Sequence, residues 1–445
     1  MHSLTLFLIL SVFFFTFPTP LGGGKAFGAA PVPDPGEPGP YAAGSISFGV
    51  PAPHRGGELI RVIVWYPVDK NLITSTTPRA IYPLNPILLP PALLALISTL
   101  WPGVDPAYRN VPPAGAFPLV VISHGYSSAG WFHLNYGARL ASHGFVVATM
   151  THPHENQFGC PGPFCLDPQV SRQHVFENRP KDISRVIDEL LNRNNTSGDL
   201  LYNAIQIDKI YAVGHSLGGR TIVKAFSDGD TRIKGLISLD GAIRIDMLPD
   251  GTMSEDLMAD QLAQVNIPVL LLSEEPCEPP LFNELPKCHE GGSVEQCTFP
   301  SPGGPLVCNT VEECLSPMRA QALIPTNPDL IIINRSDHGA AFSNSCEFFS
   351  VLAFLGVVIS RPECAPSPEV IPFMDAHHLV NKYSVAFLKR LSGEWQYGKF
   401  FAPGNFLVNE PDAELIKTQP GNFESIEHMN AEFFCDQPGR QSFVD

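Results

Sequence analysis

The chain has 445 residues and a mass of 48.4 kDa, the size of one large α/β domain with insertions. Its 28 basic residues against 44 acidic ones leave a formal charge of −16, which argues against nucleic acid or an anionic membrane surface as a partner. Apolar residues at 44 % supply a core, and 45 prolines exclude a long helical bundle.

Residues 4–17 form an apolar run too short to span a bilayer comfortably, and small residues follow at 22–30. Residues 1–30 therefore read as a signal peptide, with secretion as the expected destination and no stable membrane insertion once the signal is removed. Residues 31–57, rich in Pro and Gly, are expected to form an extended arm. The stretch 58–68 (ELIRVIVWYPV) is β-branched and aromatic, which predicts a strand. Residues 84–103 are apolar and broken by prolines. They read either as a lid or acyl-binding wall, or as a satellite of the core.

From 117 onward the chain alternates. Strands are predicted at 117–123, 145–150, 209–213, 233–239, 267–272 and 330–334. Helices are predicted at 133–143, 181–193, 216–227 and 378–391. In 181–193, Ile183, Val186, Ile187, Leu190 and Leu191 recur at helical spacing after Pro180. Near-continuous apolar strands between helices of this length predict an α/β fold with a mostly parallel, doubly wound sheet covered on both faces.

The ten cysteines all lie beyond the signal segment, and five fall within 277–314. In an oxidising compartment this predicts a disulfide-rich insertion at about 277–325, and Cys160–Cys165 and Cys346–Cys364 are plausible pairs. No Cys-x-x-Cys spacing supports a zinc site, and neither metal nor cofactor is expected. Asn194, Asn195 and Asn334 stand in sequons for N-glycosylation.

The chemistry centres on Gly214-His215-Ser216-Leu217-Gly218, which ends an apolar strand and opens a helix. This is the setting of a nucleophile elbow, where a strained turn exposes the serine hydroxyl and glycines let strand and helix approach. A hydroxyl needs a base. His338 follows the last predicted strand in NRSDHGAAF and is chosen over His377, His378, His152 and His154 on chain order. Two positions are open for the acid: Asp240 at the end of GLISLDGA, and Glu274 or Glu275 at the end of PVLLLSEE. Chain order alone favours the later strand. The amides of Leu217 and Tyr126 are the expected oxyanion donors, with Gly125 permitting the turn and His124 bracing the loop.

The runs FPLVVISHGYSSAG and GARLASHGFVVATMTHP within 117–153, with RPKDISRVIDELL, GHSLGG, ISLDG and RSDHGAAF, resemble α/β-hydrolases. They are most similar to the branch of platelet-activating-factor acetylhydrolases, dienelactone-hydrolase-like esterases and polyester hydrolases. The resemblance covers about 117–275 and 328–392. It implies an α/β-hydrolase domain over 58–393, followed by a C-terminal extension, 394–445, packed on it. In the acetylhydrolases the acid follows the strand after the nucleophile helix in a Leu-Asp context, which matches Asp240. In polyester hydrolases it follows the later strand, which keeps Glu274 as the alternate. The Cys-rich block has no counterpart in the family. Chlorophyllases share the His-Gly-Tyr phrasing but usually carry a basic residue where Leu217 stands.

The resemblance and the residues together imply a secreted serine carboxylic-ester hydrolase acting on a small-molecule or lipid-like ester through an acyl-enzyme. The alternatives are a thioesterase, amidase or chlorophyllase-like hydrolase, or a non-catalytic binding protein on the same scaffold.

Overall fold

A computed structural model describes residues 32–82, 105–126, 128–154, 174–241, 246–247, 253–254, 256–274, 297–299, 306–308, 316–354, 364, 371–402 and 412–416. The chain divides into the units Met1–Pro33 and Asp34–Asp445, and every element below lies in the second. The expected signal peptide, the apolar 84–103 segment, Cys160, Cys165 and most of 277–325 lie outside the described residues.

The strands in chain order are β1 (Ala42–Ala52), β2 (Glu58–Val68), β3 (Ala107–Tyr108), β4 (Phe117–Ser123), β5 (Val146–Thr151), β6 (Ile205–His215) and β7 (Ile233–Leu239). A two-residue ladder, β8 (Asp246–Met247) with β9 (Met253–Ser254), precedes β10 (Val269–Glu274). A second ladder, β11 (Cys297–Phe299) with β12 (Leu306–Cys308), precedes β13 (Asp329–Ile333) and β14 (Ala413–Ile416). The helices are α1 (Leu134–Ser142), α2 (Arg179–Asn195), α3 (Leu217–Ser227), α4 (Asp256–Ala263), α5 (Ser316–Leu323), α6 (His338–Phe342), α7 (Ser345–Phe354) and α8 (Phe373–Leu391).

Ten strands form one sheet in the order β14-β13-β10-β7-β6-β4-β5-β2-β1-β3. The run from β5 to β13 is parallel, while β1 and β2 on one side and β14 on the other pair antiparallel. Parallel strands with both faces covered must be apolar throughout. β4 obeys this, since every residue after Phe117 is buried. One face carries Ile183, Val186, Ile187 and Leu190 of α2 with Ile222 and Val223 of α3. On a second cluster Leu134, Ala138 and Ala141 of α1 pack with Trp65, Trp131 and Phe132. The doubly wound class expected from the sequence is the one observed.

Within the N-terminal arm expected at 31–57, residues 42–52 form strand β1, paired with β2 over its full length, from Ala42 opposite Val68 to Ala52 opposite Glu58. The physical reason is that Ala43 and Val50 bury apolar surface while the β1 backbone completes the ladder that β2 would otherwise expose. In the C-terminal extension, a 3-10 segment at Trp395–Phe401 buries Tyr397, Phe400 and Phe401, and β14 pairs with β13. Cys346 and Cys364 are bonded, the disulfide found among the described residues. No helix among these residues is long and apolar enough to cross a membrane.

Candidate active site

Strands β4, β6, β7, β10 and β13 all point the same way, so their carboxyl ends and the turns that follow share one edge of the sheet. In open α/β sheets this edge is where ligands bind. Ser216 stands between β6 and α3 with φ 51° and ψ −124°, a left-handed conformation costly for a residue with a side chain. The turn is paved by glycine. A Cβ on Gly214 would lie 2.1 Å from the Gly218 carbonyl oxygen, and one on Gly218 would lie 2.0 Å from that of Ser123. Only glycine lets α3 start so close to β6 and β4. Leu217 is the first residue of α3, so its N–H is one of the groups a helix start leaves without an intrahelical acceptor.

Asp240 follows β7 and also has positive φ, 41°. Its Oδ2 accepts a hydrogen bond from His338 Nδ1, the first residue of α6. Its Oδ1 accepts from Ser273 Oγ at 2.9 Å and from the Glu274 N–H at 3.3 Å. The aspartate side chain is 11 % exposed and the imidazole 36 %, so the pair sits at the wall of the edge, with the imidazole toward solvent. Glu274 ends β10 beside them. Among the described residues, Asp240, Glu274 and His338 form the cluster with metal-ligand spacing, their ligand atoms lying within 4.8 Å of one another. Of the two acid candidates, Asp240 accepts from His338 Nδ1, while the Glu274 backbone N–H donates to Asp240. Glu275 lies outside the described residues.

The rival histidines are engaged elsewhere. His377 is buried against Glu347 at 3.0 Å, and it donates to the carbonyls of Ala340 or Ser343. Burial opposes its protonation, but the Glu347 charge outweighs this and raises its pKa. His378 faces Asp34, and His154 faces Glu58 at 2.6 Å. His152 is fully buried between Asp182 and Ser123.

Tyr126 lies on the turn after β4, with a half-exposed side chain. The neighbouring Gly125 abuts the elbow: a Cβ there would stand 3.1 Å from Ser216 Cβ. Leu217 and Tyr126 are thus brought to the same edge as Ser216.

Three supporting residues were not identified from the sequence as site residues. Ser273 orients Asp240. His215, within the elbow motif itself, donates from Nε2 to the carbonyl of His338 at 3.1 Å. Burial, with the neighbouring His338 and His133, holds the His215 pKa well below normal, so its ring stays neutral. Arg179, fully buried at the start of α2, donates to the carbonyls of His124 and Gly125. Its sequence signal was a cation at a helix N-terminus, where the dipole disfavours one, which implies some other partner.

A family model for platelet-activating factor acetylhydrolase, isoform II, matches residues 101–174. Platelet-activating factor acetylhydrolase of Canis lupus familiaris is 27 % identical over 172 residues, covering 30 % of this chain and 38 % of that protein. The Cavia porcellus protein of the same name is 25 % identical over 167 residues, with the same two coverages. The match spans about two-fifths of the length of these curated relatives. Among solved structures, a ferulic acid esterase from Streptomyces cinnamoneus superposes with a TM-score of 0.55 at 22 % identity, covering 85 % of this chain and 96 % of that one. The fold is the α/β-hydrolase fold, and the sequence resembles the platelet-activating-factor acetylhydrolases.

Proposed function

We propose that the chain is a serine carboxylic-ester hydrolase that works through an acyl-enzyme. The observation that carries this reading is the hydrogen bond from His338 Nδ1 to Asp240 Oδ2, at the sheet edge that also presents Ser216 in its strained turn. Ser216 Oγ attacks the ester carbonyl while His338 Nε2 removes its proton. Asp240 fixes the imidazole with the proton on Nδ1, leaving Nε2 as the base, and stabilises the imidazolium that forms. The amides of Leu217 and Tyr126 receive the oxyanion. His338 then protonates the leaving alkoxide, and water, activated by the same imidazole, releases the acid and restores Ser216.

The substrate belongs to the lipid-like esters, a reading supported by the resemblance to the acetylhydrolases and by the apolar 84–103 segment. The apolar run at 4–17 and the disulfide at Cys346–Cys364 support secretion.

The test is hydrolysis of p-nitrophenyl esters from acetyl to palmitoyl by the wild type and Ser216→Ala. Turnover that disappears in Ser216→Ala supports the mechanism, and the chain-length profile defines the acyl pocket. Equal rates for the two proteins refute it.

A further inference from the structure

The loop between β4 and Tyr126 is held by a buried polar assembly that the chemistry above leaves unused. The carbonyl oxygen of Gly125 accepts from His124 Nδ1 at 2.6 Å, from Arg179 Nη2 at 3.4 Å and from the Ser128 N–H at 3.4 Å. The carbonyl oxygen of His124 accepts from Arg179 Nη1 at 2.8 Å. Arg179 and His124 have no exposed surface. The guanidinium fork thus spans two successive loop carbonyls from below.

The tautomer of His124 is dictated by its surroundings. Its Nε2 accepts from the backbone N–H of His152 at 3.1 Å, so the ring proton resides on Nδ1, the atom facing the Gly125 carbonyl. Burial, then the charge of Arg179, keep the ring neutral. His152 is itself fixed, bonded through Nδ1 to Asp182 Oδ2 at 2.7 Å and through Nε2 to Ser123 Oγ at 2.9 Å. Asp182 also receives Arg55 and His54. This Ser123–His152–Asp182 chain has the connectivity of a catalytic triad. All three side chains are fully buried, so no ester reaches it, and its place directly beneath the loop makes it a support.

The consequence lies in one peptide plane. In a trans peptide the C=O and the following N–H point in opposite directions, and the described residues contain no cis peptide. With the Gly125 oxygen pinned toward the buried guanidinium and imidazole, the Tyr126 N–H turns the other way. A Cβ on Gly125 would stand 3.1 Å from Ser216 Cβ, so the peptide that Gly125 opens lies beside the nucleophile. A carbonyl bonded to a cation also polarises its amide, which strengthens the N–H as a donor.

We propose that Arg179 and His124 are positioning residues that set the Gly125–Tyr126 peptide plane, so that the Tyr126 N–H donates to the oxyanion formed on attack by Ser216. This rests on the hydrolase reading given above.

The experiment uses the full chain as wild type, Arg179→Met, Arg179→Lys, His124→Asn and Ser216→Ala. Rates on a p-nitrophenyl ester are expressed per active site, counted by covalent labelling with a fluorophosphonate. Inhibition is measured with an alkyl trifluoromethyl ketone, whose hemiketal oxygen occupies the oxyanion position. Arg179→Met is expected to lose about 10²–10³-fold in kcat, the loss typical of one missing oxyanion donor, with KM within about twofold. The inhibition constant should rise by the same factor, and Arg179→Lys should recover at least tenfold of the loss. If Arg179→Met does not fold, Arg179→Lys and His124→Asn carry the comparison. Variants that lose active sites but keep wild-type kcat and inhibition per remaining site overturn the proposal and leave a purely structural role. So does a rise in KM with kcat unchanged. Equal ester hydrolysis by wild type and Ser216→Ala would instead sink the hydrolase reading itself.

Discussion

Replacing Asp240 with asparagine tests the site at its most specific point. Two donors, Ser273 Oγ and the Glu274 N–H, converge on Oδ1. An asparagine in this place keeps its carbonyl oxygen facing them and turns its NH2 toward His338 Nδ1. A donor then faces a donor. The imidazole relieves the conflict by shifting its proton to Nε2, the nitrogen that has to accept from Ser216. Loss of the correct tautomer in a serine–histidine–aspartate arrangement costs about 10⁴-fold in kcat, roughly 5.5 kcal/mol of barrier. Ser273→Ala removes one hydrogen bond to a carboxylate and should cost about 1.5–3 kcal/mol at most, or some 10–100-fold. Glu274→Gln keeps its backbone N–H and should stay within about tenfold of wild type, well below the loss of a tautomer-setting acid. The assay is kcat per labelled active site on a p-nitrophenyl ester, with circular dichroism as the folding control. Asp240→Asn within tenfold of wild type, alongside a loss beyond a thousandfold in Glu274→Gln, would refute the reasoning and make Glu274 the acid.

Gly218→Ala should lower stability by about 1–3 kcal/mol in urea titrations, because the new methyl meets backbone oxygens of Ser123 and His124 that cannot swing aside; a change below about 0.5 kcal/mol would contradict this. His143 is buried, with Nε2 donating to the Glu37 carbonyl at 2.7 Å, and burial, the largest cause, lowers its pKa to about 4. Its contribution is therefore fully present above the unfolded value near 6.5 and is lost as pH falls toward about 4, by up to about 1.4 kcal/mol per pH unit. Urea midpoints at pH 7.5 and pH 5 should fall less steeply in His143→Gln than in wild type. The Cys346–Cys364 bridge closes a separation of 18 residues, so the double serine variant should lose about 3 kcal/mol and become insensitive to reductant.

The parallel centre of the fold was legible because each of its strands is buried on both faces and so must be written in apolar residues. The predicted 117–123 and 233–239 coincide with β4 and β7, and the elbow was legible because its backbone tolerates only glycine two positions to either side of the serine. The edges were not legible. β1 hides in a Pro- and Gly-rich stretch, and β14 is four residues whose pairing is fixed by β13, more than eighty positions earlier. Asp240 and Glu274 could not be told apart by pattern, since both end apolar strands at the same edge. The proposed role of Asp240 rests on its side-chain hydrogen bond with His338. Arg179 left only a faint signal for a related reason. A cation at a helix N-terminus implies a partner, but nothing local in RPKDISRVIDELL names one some 55 positions away.

Strand β14 also bears on the order in which the protein acquires its parts. The turn that carries His338 is tied to the chain just before β14: the Asn334 N–H donates to the Asp412 carbonyl at 2.9 Å, and Arg335 pairs with the Asp412 carboxylate. A ribosome delivers Ser216, Asp240 and His338 long before it delivers residue 412. Nascent chains therefore hold Ser216, Asp240 and His338 for several seconds of synthesis, at about 5–20 residues per second, without the strand that fastens the His338 turn in place. The strand that ties down the His338 turn is therefore among the last parts of the fold to be placed, and the final geometry of that turn waits on it.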